Sequence, residues 1–149
     1  MRTIALGALF IGVAACSPTP PGTTAAPEQT VVPAPLEAVW WAVVDVVGEY
    51  DLPLESMDLG RGYIRTGRAV IPGGSEYWQC ADSELGGGSE VDEVGAAVSI
   101  TVIPVNAGST QLRVTADPTT SSGLLCASLG SFEERVGERI YERWQELNR

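Results

Sequence analysis

The chain has 149 residues with nine basic and nineteen acidic side chains, no histidine, and a formal net charge of −10. That balance repels phosphate backbones and anionic head groups, which argues against nucleic-acid binding and against electrostatic docking on a membrane. The missing imidazole takes away the commonest general base and the commonest zinc ligand together.

Arg2 opens an otherwise uncharged run that ends at Val13-Ala14-Ala15-Cys16, followed by Ser17-Pro18-Thr19-Pro20. A cationic start, an apolar stretch too short to span a bilayer and small residues at a cut site describe an export signal. With cysteine after the cut, the pattern resembles the lipobox of bacterial lipoproteins, although Val13 stands where leucine is usual. The resemblance implies a signal peptide over residues 1–15 and a diacylglyceryl group on Cys16, which becomes the new amino terminus. It also implies an anchor in the cell envelope on the extracytoplasmic side. Ser17 is not the aspartate of an inner-membrane retention signal, so in a host with two membranes the expected destination is the periplasmic face of the outer membrane. The alternative is a plain secretory signal with a chance cysteine.

Loss of Arg2 with the signal leaves a mature charge of −11. Residues 16–30 read as the anchor cysteine and a Pro/Thr-rich tether, because 17–30 has no apolar period and cannot offset its ordering entropy by burial. In extended polyproline geometry it reaches up to ~40 Å. Residues 31–149 then make one domain. Once Cys16 is acylated, Cys80 and Cys126 remain, and outside the cytosol an even remainder points to a disulfide. The bond would close a loop of 47 residues, worth roughly 4 kcal/mol in chain entropy. Two separately buried thiols are the alternative.

Gln29 to Val32 reads as a short first strand ended by Pro33 and Pro35. Leu36, Val39, Trp40, Val43, Val44 and Val47 then fall on one helical stripe, with Pro35 in the first turn, Gly48 at the end and Trp41 off the stripe. Residues 54–59 and 63–68 flank Gly60-Arg61-Gly62 as a hairpin. A third extended piece, 76–80, places Trp78 and Cys80 on a core face and Tyr77 and Gln79 on the other. Residues 82–95 form a Gly-rich acidic loop. Val98, Ile100 and Val102 alternate with Ser99 and Thr101. After the Asn106-Ala107-Gly108-Ser109 turn, Leu112, Val114 and Ala116 alternate with Gln111, Arg113 and Thr115, giving an antiparallel sheet with one wet face. Residues 117–123 read as a polar loop. The last helix opens on a Ser131/Glu134 capping box and carries Phe132, Val136, Ile140, Trp144 and Leu147 as its apolar stripe, with Arg135–Glu138, Arg139–Glu142 and Arg143–Glu146 pairs on a solvated side.

The fold class expected is α+β, an antiparallel sheet of four or five strands with two helices on one face. The disulfide would staple the middle strand to the base of the terminal helix. Ala34-Pro35-Leu36-Glu37-Ala38-Val39-Trp40, Asp45-Val46-Val47, Tyr50-Asp51-Leu52-Pro53-Leu54 and Gly62-Tyr63-Ile64-Arg65-Thr66 resemble the helix-grip domains of BamC-type outer-membrane lipoproteins. That resemblance implies an accessory role beside another envelope component. The same opening is similar to START-type and polyketide-cyclase-like proteins, whose terminal helix closes a sheet over an apolar cavity.

Site chemistry is sparse. The acidic residues of 82–93 lack the spacing of a calcium loop, so no metal and no cofactor is expected. Neither glycine-rich turn has the context of a phosphate cradle. No Gly-x-Ser-x-Gly elbow accompanies the serines, and the carboxylates of the acidic loop are poorly held, so no catalytic residue and no enzyme activity is expected. Trp41 and Tyr77 are the candidates for partner contact, as aromatics off the predicted core faces. The function expected is therefore a non-enzymatic binding or assembly role of a lipid-anchored envelope protein toward an envelope protein partner. The alternative is a carrier of an apolar small molecule or lipid.

Overall fold

The computed structural model describes residues 28–71, 76–80, 93–121, 123 and 125–149. The chain runs β1 (Glu28–Val32), α1 (Leu36–Glu49), β2 (Leu54–Asp58), β3 (Tyr63–Thr66), β4 (Ala69–Val70), β5 (Trp78–Cys80), β6 (Val94–Asn106), β7 (Ser109–Thr120), β8 (Cys126–Ser128) and α2 (Ser131–Leu147). Strand β1 is the short first strand expected over Gln29 to Val32, begun one residue earlier at Glu28, within the segment read as tether.

The alternation in β6 and β7 decides the architecture. Val98, Ile100, Val102, Leu112, Val114 and Ala116 are all buried, with Ile100 opposite Val114 and Val102 opposite Leu112. Between them Ser99, Thr101 and Thr115 face the solvent side. The hairpin closes where Asn106 Oδ1 accepts the Gly108 N–H at 2.9 Å, a side chain substituting for a backbone partner in the turn. Both strands outrun the sequence reading, at 13 and 12 residues. Asp117 to Thr120 belongs to β7 rather than to a loop, because Pro118 and Thr120 continue the buried phase. Pro118 is tolerated there because, among the described residues, the β1 pairing stops at Val114 and the bridge beyond it falls at Thr119, to Leu125, so neither falls on the proline nitrogen.

The main sheet has six strands in the order β1-β7-β6-β3-β2, with β4 beside β6. The four or five expected is corrected by Ala69–Val70, a strand of two residues that no periodicity could reveal. A second correction concerns β5. It pairs with β8 in a separate two-stranded sheet, and Cys80 stands directly opposite Cys126, to which it is disulfide-bonded. The bond therefore closes this small sheet instead of joining a middle strand to the helix base.

Both helices lie on the apolar face, the helix-grip-like arrangement expected. Helix α1 buries Val39, Trp40, Ala42, Val43, Val46 and Val47. Its inner face is turned from the expected stripe, with Leu36 and Val44 only half-buried, because α1 contacts α2 as well as the sheet. On α2, Phe132, Val136 and Ile140 are buried, Trp144 is half-buried and Leu147 is exposed. The capping box is absent. Gly130, at φ 89°, is the N-cap and no side chain caps the helix, while the Ser131 hydroxyl donates to the Glu76 carbonyl at 3.3 Å.

What fixes the start of α2 is a side chain that the sequence reading passed over. Glu133 is 4% exposed. One carboxylate oxygen accepts the Ala116 backbone N–H at 3.2 Å, at a point of β7 beyond the end of β1 pairing. The other accepts the Ser128 hydroxyl at 2.8 Å, and Ser128 Oγ in turn accepts the Gly130 N–H at 3.1 Å. One carboxylate in the first helical turn, where the helix dipole favours it, thus joins β7, β8 and α2. Replacing Glu133 by Ala orphans a buried N–H and a buried hydroxyl, and is expected to lower unfolding free energy by about 2–3 kcal/mol. Exposed Glu134→Ala should stay within about 0.5 kcal/mol of wild type. Urea denaturation followed by circular dichroism compares the two.

Candidate partner-binding surface

Helices α1 and α2 run antiparallel, and their outer seam is a ladder of charges. Arg139 grips Glu49 with Nε and Nη2 at 2.8 and 2.9 Å, and its Nη1 reaches Glu146 at 3.1 Å and Glu142 at 3.5 Å. Arg143 holds Asp45 Oδ2 with Nε and Nη2 at 3.0 and 2.9 Å and Glu146 with Nη1 at 3.0 Å. The expected Arg139–Glu142 and Arg143–Glu146 pairs therefore form, but as parts of a bridge between helices. Arg135 does otherwise: its guanidinium lies over the Tyr77 ring, 5.2 Å from the centroid.

The ladder sets a register. Residue 143 of α2 meets residue 45 of α1, and residue 139 meets 49. One turn further along each helix, in opposite directions, the same register brings Leu147 level with Trp41. Trp41 is 60% exposed and Leu147 49% exposed. An indole and an isobutyl group so placed form an apolar step at the end of the charged seam. Trp144, one turn before Leu147 on α2, meets Tyr141 in a tilted contact with ring centroids 5.4 Å apart.

Of the two aromatic candidates, the structure leaves Trp41 outside and takes Tyr77 in. Tyr77 is 5% exposed and makes an edge contact with Phe132 at 5.5 Å. The reason is local. Strand geometry begins only at Trp78, so Tyr77 sits in the preceding turn and both rings enter the core, where Trp78 lies 5.3 Å from Phe132. Leu147 is the opposite case, since its helical phase suggested core and it stands half-exposed as the last residue of α2.

Elsewhere the chemistry is modest. On the outer face of the sheet Arg65 bridges Ser99, Glu55 and Asp117 at 3.3, 3.6 and 3.8 Å. The Ser99 hydroxyl and the Arg65 guanidinium hold the Tyr63 phenol below its usual range. A shallow depression of about 200 Å³ is lined by Arg68, Val70, Glu93 and Ser121, smaller than the ~300–1,000 Å³ of typical ligand sites. Among the described residues no three acidic or cysteine side chains gather into a metal-binding group, and no helix is long and apolar enough to cross a membrane. Cys16 and residues 82–92 of the acidic loop lie outside the described residues.

No family model and no curated protein matches the chain. Among solved structures, a conserved protein from Geobacillus kaustophilus is similar over 79% of this chain and 90% of its own, with 15% identity and a TM-score of 0.39. The Zhui aromatase/cyclase from Streptomyces sp. R1128 is similar over 83% of this chain and 87% of its own, with 18% identity and a TM-score of 0.30. Superpositions this loose say nothing of activity.

The ladder has a pH signature. Hydrogen bonds from Arg139 and Arg143 hold the Glu146 carboxyl below the usual range. Such a group stabilises the fold above its unfolded pKa of about 4.3, and that contribution disappears as pH falls through the lower folded value. At low salt the thermal midpoint of wild type should therefore fall more steeply below pH ~4.3 than that of Glu146→Gln. Parallel curves by circular dichroism would contradict the ladder.

Proposed function

We propose that this chain is a lipid-anchored protein of the bacterial cell envelope, acylated on Cys16, that carries its α+β domain on a proline-rich tether to bind another envelope protein without catalysis. The anchor rests on the run Val13-Ala14-Ala15-Cys16 and the tether on residues 17–30. The binding role rests on one observation: Trp41, a residue type that normally finds burial, stands 60% exposed on a helix whose inner side is fully packed.

Chemistry that requires an imidazole has no group in the sequence, and both thiols of the domain are joined. The carrier reading is disfavoured by the interior itself. Trp40, Phe132, Tyr77 and Trp78 fill the space between helices and sheet where an apolar cargo would sit. In a host with two membranes the placement proposed is the periplasmic face of the outer membrane. Affinity capture of the full chain from detergent-solubilised envelope, after brief chemical cross-linking in whole cells, tests this reading. The expected result is a discrete co-captured envelope protein. Recovery of nothing beyond what an unrelated lipoprotein recovers would contradict it.

A further inference from the structure

The partner-binding reading leaves the chemistry of the partner open, and the surroundings of Trp41 narrow it. Glu37 lies one turn before Trp41 on α1 and Asp45 one turn after it, and both reach the surface. Across the seam stand Glu142 and Glu146, the latter next in sequence to Leu147. Against these and Glu49, the ladder supplies only Arg139 and Arg143, and both guanidiniums are already engaged by carboxylates. Even with Arg149 counted beside Leu147, the five carboxylates Glu37, Asp45, Glu49, Glu142 and Glu146 face three guanidiniums, so the apolar step keeps a net negative frame, in a mature chain of net charge −11.

That frame discriminates among occupants. A second copy would bring an identical acidic frame against this one, and an anionic lipid surface would be repelled in the same way. The sheet edges offer a poorer place for pairing. Edge strand β2 follows Pro53, carries Glu55 and Asp58 and is bulged between Leu54 and Ser56, and β1 runs directly into Pro33; such features blunt strand addition. The seam of two packed helices presents instead a rigid apolar step with an acidic rim, the complement of an amphipathic segment with cationic flanks.

We infer that the Trp41–Leu147 step is a docking site for a cationic amphipathic segment of another protein, whose apolar side chain covers the indole while its lysines or arginines meet Glu37 and the net negative rim around it. This inference rests on the partner-binding role proposed above and adds the place and the chemistry of contact.

The test uses the full chain in a non-ionic detergent and two fluorescein-labelled amphipathic peptides, one of leucine and lysine, the other with glutamate in place of lysine. Fluorescence anisotropy should show binding of the lysine peptide, weakened by added salt as screened charges require. Trp41→Ala and Leu147→Ala should each weaken it about tenfold or more, as truncation of a central anchor does. Val31→Ala and Ile103→Ala, exposed apolar residues elsewhere on the molecule, should leave it unchanged. Equal affinity of wild type and Trp41→Ala, or equal binding of the glutamate peptide, would overturn the inference. So would a labelled second copy of the chain, or phosphatidylglycerol vesicles, binding in a way that Trp41→Ala abolishes. If cross-linking captures an envelope protein while the lysine peptide fails, the docking site falls and the anchored partner-binding role stands. If the peptide binds as expected and capture recovers nothing, the role falls and the site remains.

Discussion

The single constraint under everything else is that one face of a six-stranded antiparallel sheet is apolar and must be covered. The inward residues of β6 and β7 set its centre, and two helices are needed to shield it, so α1 and α2 are forced side by side. Their adjacency creates the outer seam, and the seam creates the only place where the described helices offer an exposed indole. The proposed binding surface is thus a by-product of core burial, positioned by packing that has no functional content of its own.

Helix α2 is held at both ends by different physics. At its start a buried carboxylate ties Ser128, Ala116 and the first turn together, and the neighbouring β8 is bonded through Cys126 to β5. Towards its other end the attachment is electrostatic and exposed, through Arg139 and Arg143 to α1. Exposed ion pairs contribute little singly. Their value here is geometric, because a bidentate grip of Arg139 on Glu49 fixes the rotation and translation of one helix against the other, and hence the level of Trp41 beside Leu147.

Much of this could be read from the sequence, and the exceptions share a cause. Strong periodicity gave the class, both helices, the β2–β3 hairpin and the β6–β7 pair, because period-2 and period-3.6 burial leaves a direct trace in residue order. What escaped depends on where an element ends relative to its neighbours. Tyr77 was placed outside by an alternation that starts one residue later, and Leu147 inside by a helical phase that runs on to the exposed last residue of α2. Ser131 and Glu134 spell a capping box, yet the local turn at Gly130 puts the cap elsewhere and hands the anchoring role to Glu133. Arg139 and Arg143 were recognised as paired, but a pairing list along one helix cannot show that Asp45 and Glu49 of another compete for the same guanidiniums.

The proposed role depends most on the tether and the anchor, which would hold a domain with an acidic surface and a filled core at one place in the envelope. The most direct measurement is the mass of the amino-terminal tryptic peptide of the protein purified from membranes. After Arg2 the next cleavage site is Arg61, so processing at the cysteine gives a peptide of residues 16–61. Anchoring predicts that peptide with a diacylglyceryl group on Cys16. The same peptide with a free thiol, or a peptide still carrying residues 3–15, would contradict it.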